Sequence, residues 1–392
     1  MKSGWASTGA HDVLLKPSPK RGTHGYDPAH PELLASLIMA GPDVVRRGSL
    51  GQVRMTRIAP AGGMARPLYH HGNPTMFAGA SLMTTSTTRR AFLTGVAAAM
   101  AAPAILRARR VARYPISFST LGCPAWSWAR IVEQAGALGF AGIEVRGVAG
   151  EMDLSKVPEF SPSRIADTRR DLAALNLTIS DLGASAHMHA REPQARQVQF
   201  DEGRRHIDVA HALGVKYVRM FGDKVPEGEN KADVIARVAD GFRQMAAHAK
   251  GSGVTVLIES HGDFTSAADL EQILRAVDSD AFALLWDAHH TFASGHEQPA
   301  DTYAKLRSWI RHTHLKDSRP GAKGREYVLT GEGDVPVKEQ VRVLASNGYT
   351  GFYGFEWEKR WHPEIPPAEV AFPHYARVIG EYLSAAGVSA AD

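Results

Sequence analysis

The 392-residue sequence predicts an α/β protein whose main part is a single (β/α)8 TIM barrel over residues 112–386. Short apolar runs of strand length alternate eight times with longer segments of helical periodicity. A glycine ends many of these helical segments just before the next strand, as helix C-caps do. The segment after the first strand, LGCPAWSW, has no Gly-rich phosphate turn, which argues against the alternative of a doubly wound sheet.

Each predicted strand is a short run rich in apolar, β-branched or aromatic residues. The eight strands are predicted at 114–120, 142–146, 177–185, 217–222, 255–260, 283–288, 310–317 and 351–358. The clearest helices between them are predicted at 201–213, 231–251, 267–277 and 337–347. In such a barrel the chemistry lies at the carboxyl ends of the strands, so polar residues at those ends are the candidates for function.

Residues 84–104, TTSTTRRAFLTGVAAAMAAPA, resemble a twin-arginine export signal. Arg89 and Arg90 precede a short apolar stretch that ends in small residues with A-x-A cleavage sites. The stretch is too short and too rich in alanine to span a bilayer stably. We therefore expect segment 83–110 to engage the twin-arginine translocase and deliver a periplasmic or otherwise exported protein. The alternative is a chance arginine pair before a buried helix.

Residues 1–82 are rich in Gly, Pro, His and Ser and show little periodicity. We expect either a disordered leader or a start codon assigned too early, with Met83 or Met76 as the true start. Under either hypothesis residues 1–82 do not contribute to the fold, so the barrel is predicted to begin only after residue 110.

The charge of the chain is unevenly distributed. Residues 1–110 carry 14 Lys/Arg and 4 Asp/Glu, whereas the remainder carries 31 and 37. The mildly acidic body argues against binding to a nucleic-acid backbone, which requires clustered basic residues. The single cysteine, Cys123, excludes an intrachain disulfide and a Cys-rich metal site.

Four consecutive predicted strands end in residues that could bind a metal ion. Glu259 ends the fifth strand, Asp287 the sixth, His312 and His314 the seventh, and Glu356 the eighth. Carboxylates that converge on one mouth repel each other unless a cation lies among them. Mixed oxygen and nitrogen ligation suits Mn²⁺, Mg²⁺, Co²⁺ or Zn²⁺ better than a thiolate-binding metal. Taken singly, each residue could equally be an ordinary polar group at a strand end.

This pattern resembles the sugar phosphate isomerase/epimerase family of xylose isomerase-like barrels, which includes D-tagatose 3-epimerase and inosose dehydratase relatives. The resemblance rests on Glu259, Asp287-x-x-His290, His314-x-Lys316-Asp317 and Glu356, together with LTGEGDVPV (329–337) and FEWEKRWHPEI (355–365). It covers about residues 112–386. The four-ligand set is typical of the superfamily but not of one substrate.

The resemblance implies one divalent metal ion, with Mn²⁺ expected, held by Glu259, Asp287, His314 and Glu356. It also implies that Glu259 and Glu356 exchange a proton on opposite faces of the substrate carbon, and that His290 contacts the substrate. Chemistry supports this, because removal of a proton next to a carbonyl leaves an enediolate that a metal ion stabilises. A carboxylate on each face allows removal on one face and return on the other.

Two positions depart from the D-tagatose 3-epimerase pattern. Thr265 stands where those relatives carry a substrate-binding glutamate, and Pro320 stands where they carry an arginine. Lys316-Asp317 is more similar to the dehydratase-type members. We therefore predict a metal-dependent isomerase or epimerase acting on an unphosphorylated sugar or sugar derivative, with a lyase or dehydratase, inosose dehydratase-like or keto-glycoside eliminating, as the alternative. An AP endonuclease and a non-catalytic sugar-binding protein fit the acidic body and the intact ligand set less well.

Further candidates for substrate binding surround the predicted ligands. His261 follows Glu259 by two residues and therefore points to the same side of its strand. Lys316 could donate to a substrate oxygen, with Asp317 as its structural partner. Arg219 could bind an anionic or polyhydroxylated substrate, or it could neutralise the acidic mouth.

Three expectations concern neighbouring charges. Glu144 and Arg146 share one face of the second strand, so Glu144 either pairs with Arg146 or binds substrate. Glu358 is expected above Glu356, where it meets substrate or pairs with Lys359 or Arg360. His206 and His211 are expected on a helix surface. The sequence is also compatible with a homo-oligomer.

Overall fold

Eight parallel strands form a closed barrel, as the sequence predicts. The computed structural model describes residues 112–322 and 324–391. The expectations for segments 1–82 and 83–110 lie outside these residues. The strands are β1 Ile116–Ser119, β2 Gly142–Val145, β3 Thr178–His187, β4 Tyr217–Phe221, β5 Thr255–Glu259, β6 Phe282–Asp287, β7 Ile310–Leu315, β8 Asp317–Gly321, β9 Gly324–Val328 and β10 Tyr353–Phe355. The order around the barrel is β1-β10-β7-β6-β5-β4-β3-β2.

Helices connect the barrel strands. They are α1 Trp128–Ala137, α2 Ile165–Ala174, α3 Pro193–Leu213, α4 Lys231–Ala249, α5 Ala267–Val277, α6 Ala288–Ala293, α7 Pro299–Leu306, α8 Val337–Ser346 and α9 Ala368–Ala385. Short 3₁₀ turns occupy Thr120–Gly122, Leu154–Lys156 and Pro158–Phe160. No helix among the described residues combines the length and the apolar character that a membrane crossing requires.

The predicted helix bounds agree best with the structure where the sequence contains a clear capping residue. The prediction for α5 is correct at both ends, because Ser266 accepts the backbone N–H of Asp269 as an N-cap. Helix α3 begins eight residues before the predicted start, since Pro193 occupies its first turn and the following polar residues hide the periodicity. Gly214 ends α3 in the left-handed conformation, φ 74°, as the glycine signal predicts.

The alternation of side chains along the strands divides the barrel interior into layers. Leu257, Ala283 and Leu285 form a small apolar cluster with Tyr217 inside the barrel. Two residues further along β5 and β6, on the same inward face, come Glu259 and Asp287. The polar site therefore lies above a layer of apolar side chains, at the carboxyl ends of the strands.

The hairpin β8–β9 is absent from the prediction, which extended the seventh strand to residue 317. The strand β7 ends at Leu315, and Asp317 starts the antiparallel hairpin instead. The carboxylate of Asp317 accepts the backbone N–H groups of Ser318 and Gly331, each at 2.8 Å, and of Gly333 at 3.0 Å. These bonds fasten the loop after the hairpin and turn the chain away from the barrel.

The expectation that His206 lies on a helix surface is wrong. Its side chain is fully buried, and its Nδ1–H donates to the carbonyl oxygen of Glu202 at 3.0 Å. His206 follows Phe200 and Gly203 on the buried face of α3, where spacings of three and four residues recur. His211, by contrast, is exposed as expected.

Candidate metal centre and active site

The four predicted metal ligands meet at one end of the barrel. Glu259 and Asp287 are the last residues of β5 and β6, His314 is the penultimate residue of β7, and Glu356 directly follows β10. All four residues are at most 5% exposed, and each offers a ligand atom within 4.8 Å of the others. The fold thus brings together residues that are 97 positions apart along the chain.

The imidazole of His314 occupies the centre of this quartet. Its Nδ1 lies 3.3 Å from Glu259 Oε1, 3.4 Å from Glu356 Oε2 and 3.8 Å from Asp287 Oδ2. Its other nitrogen, Nε2, lies 2.5 Å from Glu144 Oε2. Burial opposes the charged imidazolium, but Glu144, Glu356 and Glu259 together raise the pKa of His314 well above its usual value.

The second histidine of β7, His312, lies outside the quartet. Its Nε2 is 3.2 Å from Asp181 Oδ1 and 3.8 Å from Glu144 Oε2. The ring lies against Gly354, where an added Cβ would come within 3.1 Å of His312 Nε2. From the strand ends alone, both histidines of β7 were candidate metal ligands. In the structure, His314 is the one that faces the three carboxylates.

Negative charge exceeds positive charge around the quartet. Two permanently charged cations contact the site, Arg219 and Lys316. Five carboxylates face these cations and His314: Glu144, Glu259, Asp287, Glu356 and Glu358. Burial would raise the pKa of Glu356, but His314 and Lys316 hold it well below its usual value. The acidic side chains of the site therefore outnumber its cations, and a further positive charge would reduce their mutual repulsion.

The free oxygens of the quartet fit a divalent metal ion. Glu259 Oε2 and Asp287 Oδ2 are buried and have no hydrogen-bond partner. Arg219 Nε lies 3.0 Å from Glu259 Oε2, and Lys316 Nζ lies 2.8 Å from Asp287 Oδ2, but neither contact is aligned as a hydrogen bond. Several buried carboxylates are costly unless enough positive charge compensates them, and here they outnumber the cations. Three carboxylates and one imidazole form a donor set suited to Mn²⁺, Mg²⁺ or Zn²⁺.

Lys316 lies between the quartet and the mouth of the barrel. Besides Asp287, its Nζ contacts Glu358 Oε1 at 2.8 Å and His290 Nε2 at 3.2 Å, and it donates to Glu356. Asp287, Glu356 and Glu358 outweigh the effect of burial and raise the pKa of Lys316 well above its usual value. The expectation that Asp317 pairs with Lys316 is wrong, because the Asp317 carboxylate instead accepts hydrogen bonds from backbone N–H groups.

Glu358 lies above Glu356 as predicted, but its partners differ from those expected. It accepts a hydrogen bond from the hydroxyl of Tyr327 at 2.8 Å and contacts Lys316. Lys359 instead donates to backbone carbonyls, and neither it nor Arg360 forms an ion pair with Glu358 within 4.0 Å in the described residues. The local sequence suggested neighbours in the chain, whereas the fold supplies Lys316, directly after β7, and Tyr327 of β9.

Tyr327 is a site residue that the sequence analysis missed. It belongs to β9 of the unpredicted hairpin, and its ring lies 4.9 Å from the ring of His362 and 5.5 Å from that of His289. The run GREYV that forms this strand lies outside every predicted strand. The hairpin therefore contributes one wall of the mouth.

Glu144 does not form the ion pair with Arg146 that was one of its two predicted roles. Arg146 Nη2 donates to Ser185 Oγ at 2.7 Å, while Glu144 contacts His314. Gly183 allows this arrangement, since a Cβ there would lie 2.5 Å from Arg146 Cδ. Burial would raise the pKa of Glu144, but His314 and Arg219 lower it to about 2.

Arg219 lies where its charge can neutralise the acidic mouth, which is one of its two predicted roles. It is 1% exposed, pairs with Glu259, and donates from Nη1 to the carbonyl oxygen of Ala184 at 3.2 Å. Its guanidinium also lies 4.2 Å from the centre of the Phe221 ring. These contacts place its charge against the carboxylates of the mouth.

His261 and His290 lie at the rim. Their rings are 5.2 Å apart, and His261 Nδ1 faces Asp223 Oδ1 at 3.6 Å with 37% of its side chain exposed. His290 belongs to α6, where its backbone N–H donates to Asp287 Oδ1 at 2.8 Å. The predicted Asp-x-x-His spacing is thus an N-cap that joins a quartet residue to a rim histidine.

Comparison with known proteins agrees with this architecture. The family model described as xylose isomerase-like TIM barrel matches residues 132–377. An inosose dehydratase from Serratia proteamaculans (strain 568) is 26% identical in an alignment of 194 residues that covers 42% of this chain and 65% of that protein. The chain thus spans slightly less than two thirds of the length of that relative.

Two solved structures share the fold. A xylose isomerase-like TIM barrel protein from Mycobacterium smegmatis, in complex with magnesium, is 19% identical with a TM-score of 0.54, covering 70% of this chain and 97% of that one. The D-psicose 3-epimerase with D-tagatose from Clostridium cellulolyticum H10 is 16% identical with a TM-score of 0.55, covering 69% and 99%. At these identities the likeness concerns the fold.

Proposed function

Since this chain belongs to the xylose isomerase-like TIM barrel family, we propose that it is a divalent-metal-dependent isomerase or epimerase of an unphosphorylated sugar or sugar derivative. The observation that carries the proposal is the buried quartet of Glu259, Asp287, His314 and Glu356, in which Glu259 Oε2 and Asp287 Oδ2 accept no hydrogen bond from the described residues. Such a constellation at the carboxyl ends of barrel strands is where this fold performs its chemistry.

The quartet would hold one metal ion, and Mn²⁺ is the ion that we expect. When bound, the ion would polarise the substrate carbonyl and stabilise the negative charge of an enediolate. Magnesium in the mycobacterial relative supports an ion that prefers oxygen ligands. His314 contributes the single nitrogen ligand, through the ring atom that faces the three carboxylates.

Glu259 and Glu356 are the proposed acid and base. One carboxylate removes the proton next to the substrate carbonyl, and the other returns a proton on the opposite face. Arg219 Nε lies 3.0 Å from Glu259 Oε2, and Lys316 donates to Glu356, so each of the two carboxyl groups has a cation beside it. His290, His261, Lys316 and Glu358 surround the space above and are the proposed contacts to substrate hydroxyls.

A lyase or dehydratase is the second candidate, and the relationship to inosose dehydratase favours it. Here the base would remove the same proton, and the hydroxyl on the next carbon would leave as water after accepting a proton. Lys316 Nζ and His290 Nε2, 3.2 Å apart at the rim, are the groups placed to donate it. Thr265 and Pro320, where D-tagatose 3-epimerase relatives carry charged residues, also fit this candidate.

Incubation of keto-sugars and keto-cyclitols with Mn²⁺-loaded protein in D₂O tests both candidates. Deuterium in a recovered epimer or isomer supports the first, and loss of water supports the second. Glu356→Gln, compared with Glu332→Gln in the loop before α8 as a matched control, should abolish the exchange. Metal-loaded protein that produces neither outcome over the whole panel would overturn the proposal.

Export through the twin-arginine translocase is part of the same proposal. The Arg89-Arg90 pair and the following apolar stretch support it, and this route carries folded proteins, so the metal ion could be loaded before export. Replacement of both arginines by lysine should retain the protein in the cytoplasm on cell fractionation. Unchanged export of that variant would contradict this part. Homo-oligomer formation stays a prediction.

A further inference from the structure

The contact between Glu144 and His314 lies beneath the proposed metal centre, on the side away from the three carboxylates. Glu144 Oε2 is 2.5 Å from His314 Nε2, whereas His314 Nδ1 faces Glu259, Glu356 and Asp287. Both residues of the pair are at most 1% exposed. The two ring nitrogens therefore have separate environments, one with a single acceptor and one with the quartet.

A histidine that binds a metal ion is neutral and carries its one proton on the nitrogen that does not bind. Which nitrogen binds is set by the hydrogen bond that the other nitrogen makes. At His314 a carboxylate is the nearest acceptor to Nε2, so the proton belongs on Nε2 and the lone pair of Nδ1 points to the centre of the quartet.

We propose that Glu144 is a positioning residue that fixes the tautomer and the ring orientation of His314, so that Nδ1 is the metal-binding atom. This inference rests on the proposed metal site. It gives Glu144 a role below the site instead of the substrate contact that the sequence predicts. The residue acts through His314 and does not touch the reacting atoms.

The barrel holds Glu144 firmly enough for this role. It lies in β2 with Ser119 of β1 and Asp181 of β3 as its register partners, so its backbone is fixed from both sides. The imidazole of His312 limits its side chain, with Nε2 3.8 Å from Glu144 Oε2. A side chain so enclosed can set the orientation of its partner because it has little freedom of its own.

The direct test compares Glu144→Leu with Asp181→Leu. Both changes remove one buried acidic side chain from the barrel interior and leave no acceptor in its place, but Asp181 contacts His312 and not His314 within 4.0 Å. Calorimetric titration with Mn²⁺ should show affinity weakened by about 10- to 100-fold for Glu144→Leu, the usual effect of losing such a partner. Asp181→Leu should change the affinity by less than about threefold, and equal effects of the two variants would overturn the proposal.

A second measurement needs no variant at position 144. In Zn²⁺-loaded protein with ¹⁵N-labelled histidine, long-range ¹H–¹⁵N spectra identify the protonated nitrogen, and His314→Gln assigns the signal. We expect the proton on Nε2, and a proton on Nδ1 would overturn the inference. Wild-type protein that binds neither Mn²⁺ nor Zn²⁺ would instead contradict the proposed function, so the two failures are distinguishable.

Discussion

Asp287 caps helix α6 by accepting the backbone N–H of His290 with Oδ1 at 2.8 Å, while its Oδ2 lies 3.8 Å from His314 Nδ1. One carboxylate therefore starts a helix and lines the proposed metal centre. Because His290 is the third residue of that helix, the cap also sets the position of a rim imidazole above the site. Local structure and candidate chemistry depend on the same side chain.

Replacement of Asp287 should separate these two roles. Asn retains the capping oxygen but supplies a poorer ligand, whereas Ala removes both functions. We expect both variants to lose metal affinity, and Asp287→Ala to lose about 1 kcal/mol more of the free energy of unfolding than Asp287→Asn in EDTA. Denaturant unfolding and Mn²⁺ titration measure the two effects. Equal stability of both variants in EDTA would show that the cap contributes little.

Metal removal should destabilise the barrel. Without a divalent ion, two cations and His314 face five carboxylates in a buried space. A ligand that binds only the folded state stabilises it by mass action, so Mn²⁺ at 100 times its dissociation constant should add about 2.7 kcal/mol to the free energy of unfolding. Thermal unfolding in EDTA and in Mn²⁺ checks this. Identical transitions for the wild type would exclude a specific metal site.

Lys316 should oppose metal binding while it supports the metal-free protein. Its ammonium lies 2.8 Å from Asp287 Oδ2 and donates to Glu356, two of the proposed ligands. We expect Lys316→Met to bind Mn²⁺ more tightly, because a competing cation is gone. Its metal-free form should lose about 3 kcal/mol of stability or more, because buried carboxylates lose their partner.

The control for this prediction is Lys338→Met on α8. Lys338 lies over the Tyr382 ring at 5.9 Å, and among the described residues it has no acidic partner within 4.0 Å. It should leave both the metal affinity and the stability of the metal-free protein nearly unchanged. If Lys316→Met instead binds Mn²⁺ more weakly than the wild type, Lys316 is a support of the centre and not a competitor.

The sequence predicted that Glu259, Asp287, His314 and Glu356 converge at one end of the barrel, because strand ends and barrel geometry are both readable from local patterns. Glu259 and Asp287 end apolar runs, and parallel strands bring their carboxyl ends together. The position of Tyr327 could not be predicted in this way, since a two-stranded hairpin outside the barrel has no core face to impose a clear periodicity. The partners of Glu358 were also unpredictable, because they depend on long side chains that meet from the segments after β7 and β10 and from β9. Chain neighbours such as Lys359 are poor guides to such contacts.

Buried His206 should make the protein sensitive to acid. Burial lowers the pKa of His206 in the folded state, with its bond to the Glu202 carbonyl as a weaker opposing effect. The unfolded state therefore takes up the proton first, and stability falls as the pH drops from about 6.5 toward the lowered folded value. This contribution is fully present above pH of about 6.5, the unfolded value, and its loss is limited to about 1.4 kcal/mol per unit of pKa shift.

His206→Gln should flatten this pH dependence, since the variant has no group at this position that titrates between the two pKa values. Denaturant unfolding in EDTA at several pH values between about 7.5 and 5 measures the slope, and EDTA removes the separate pH dependence of metal binding. His211→Gln, at an exposed position of the same helix α3, is the matched control. A buried neutral imidazole contributes to the pH dependence because the unfolded state binds one more proton. If the slope for His206→Gln is as steep as that for the control, the acid sensitivity belongs to other groups.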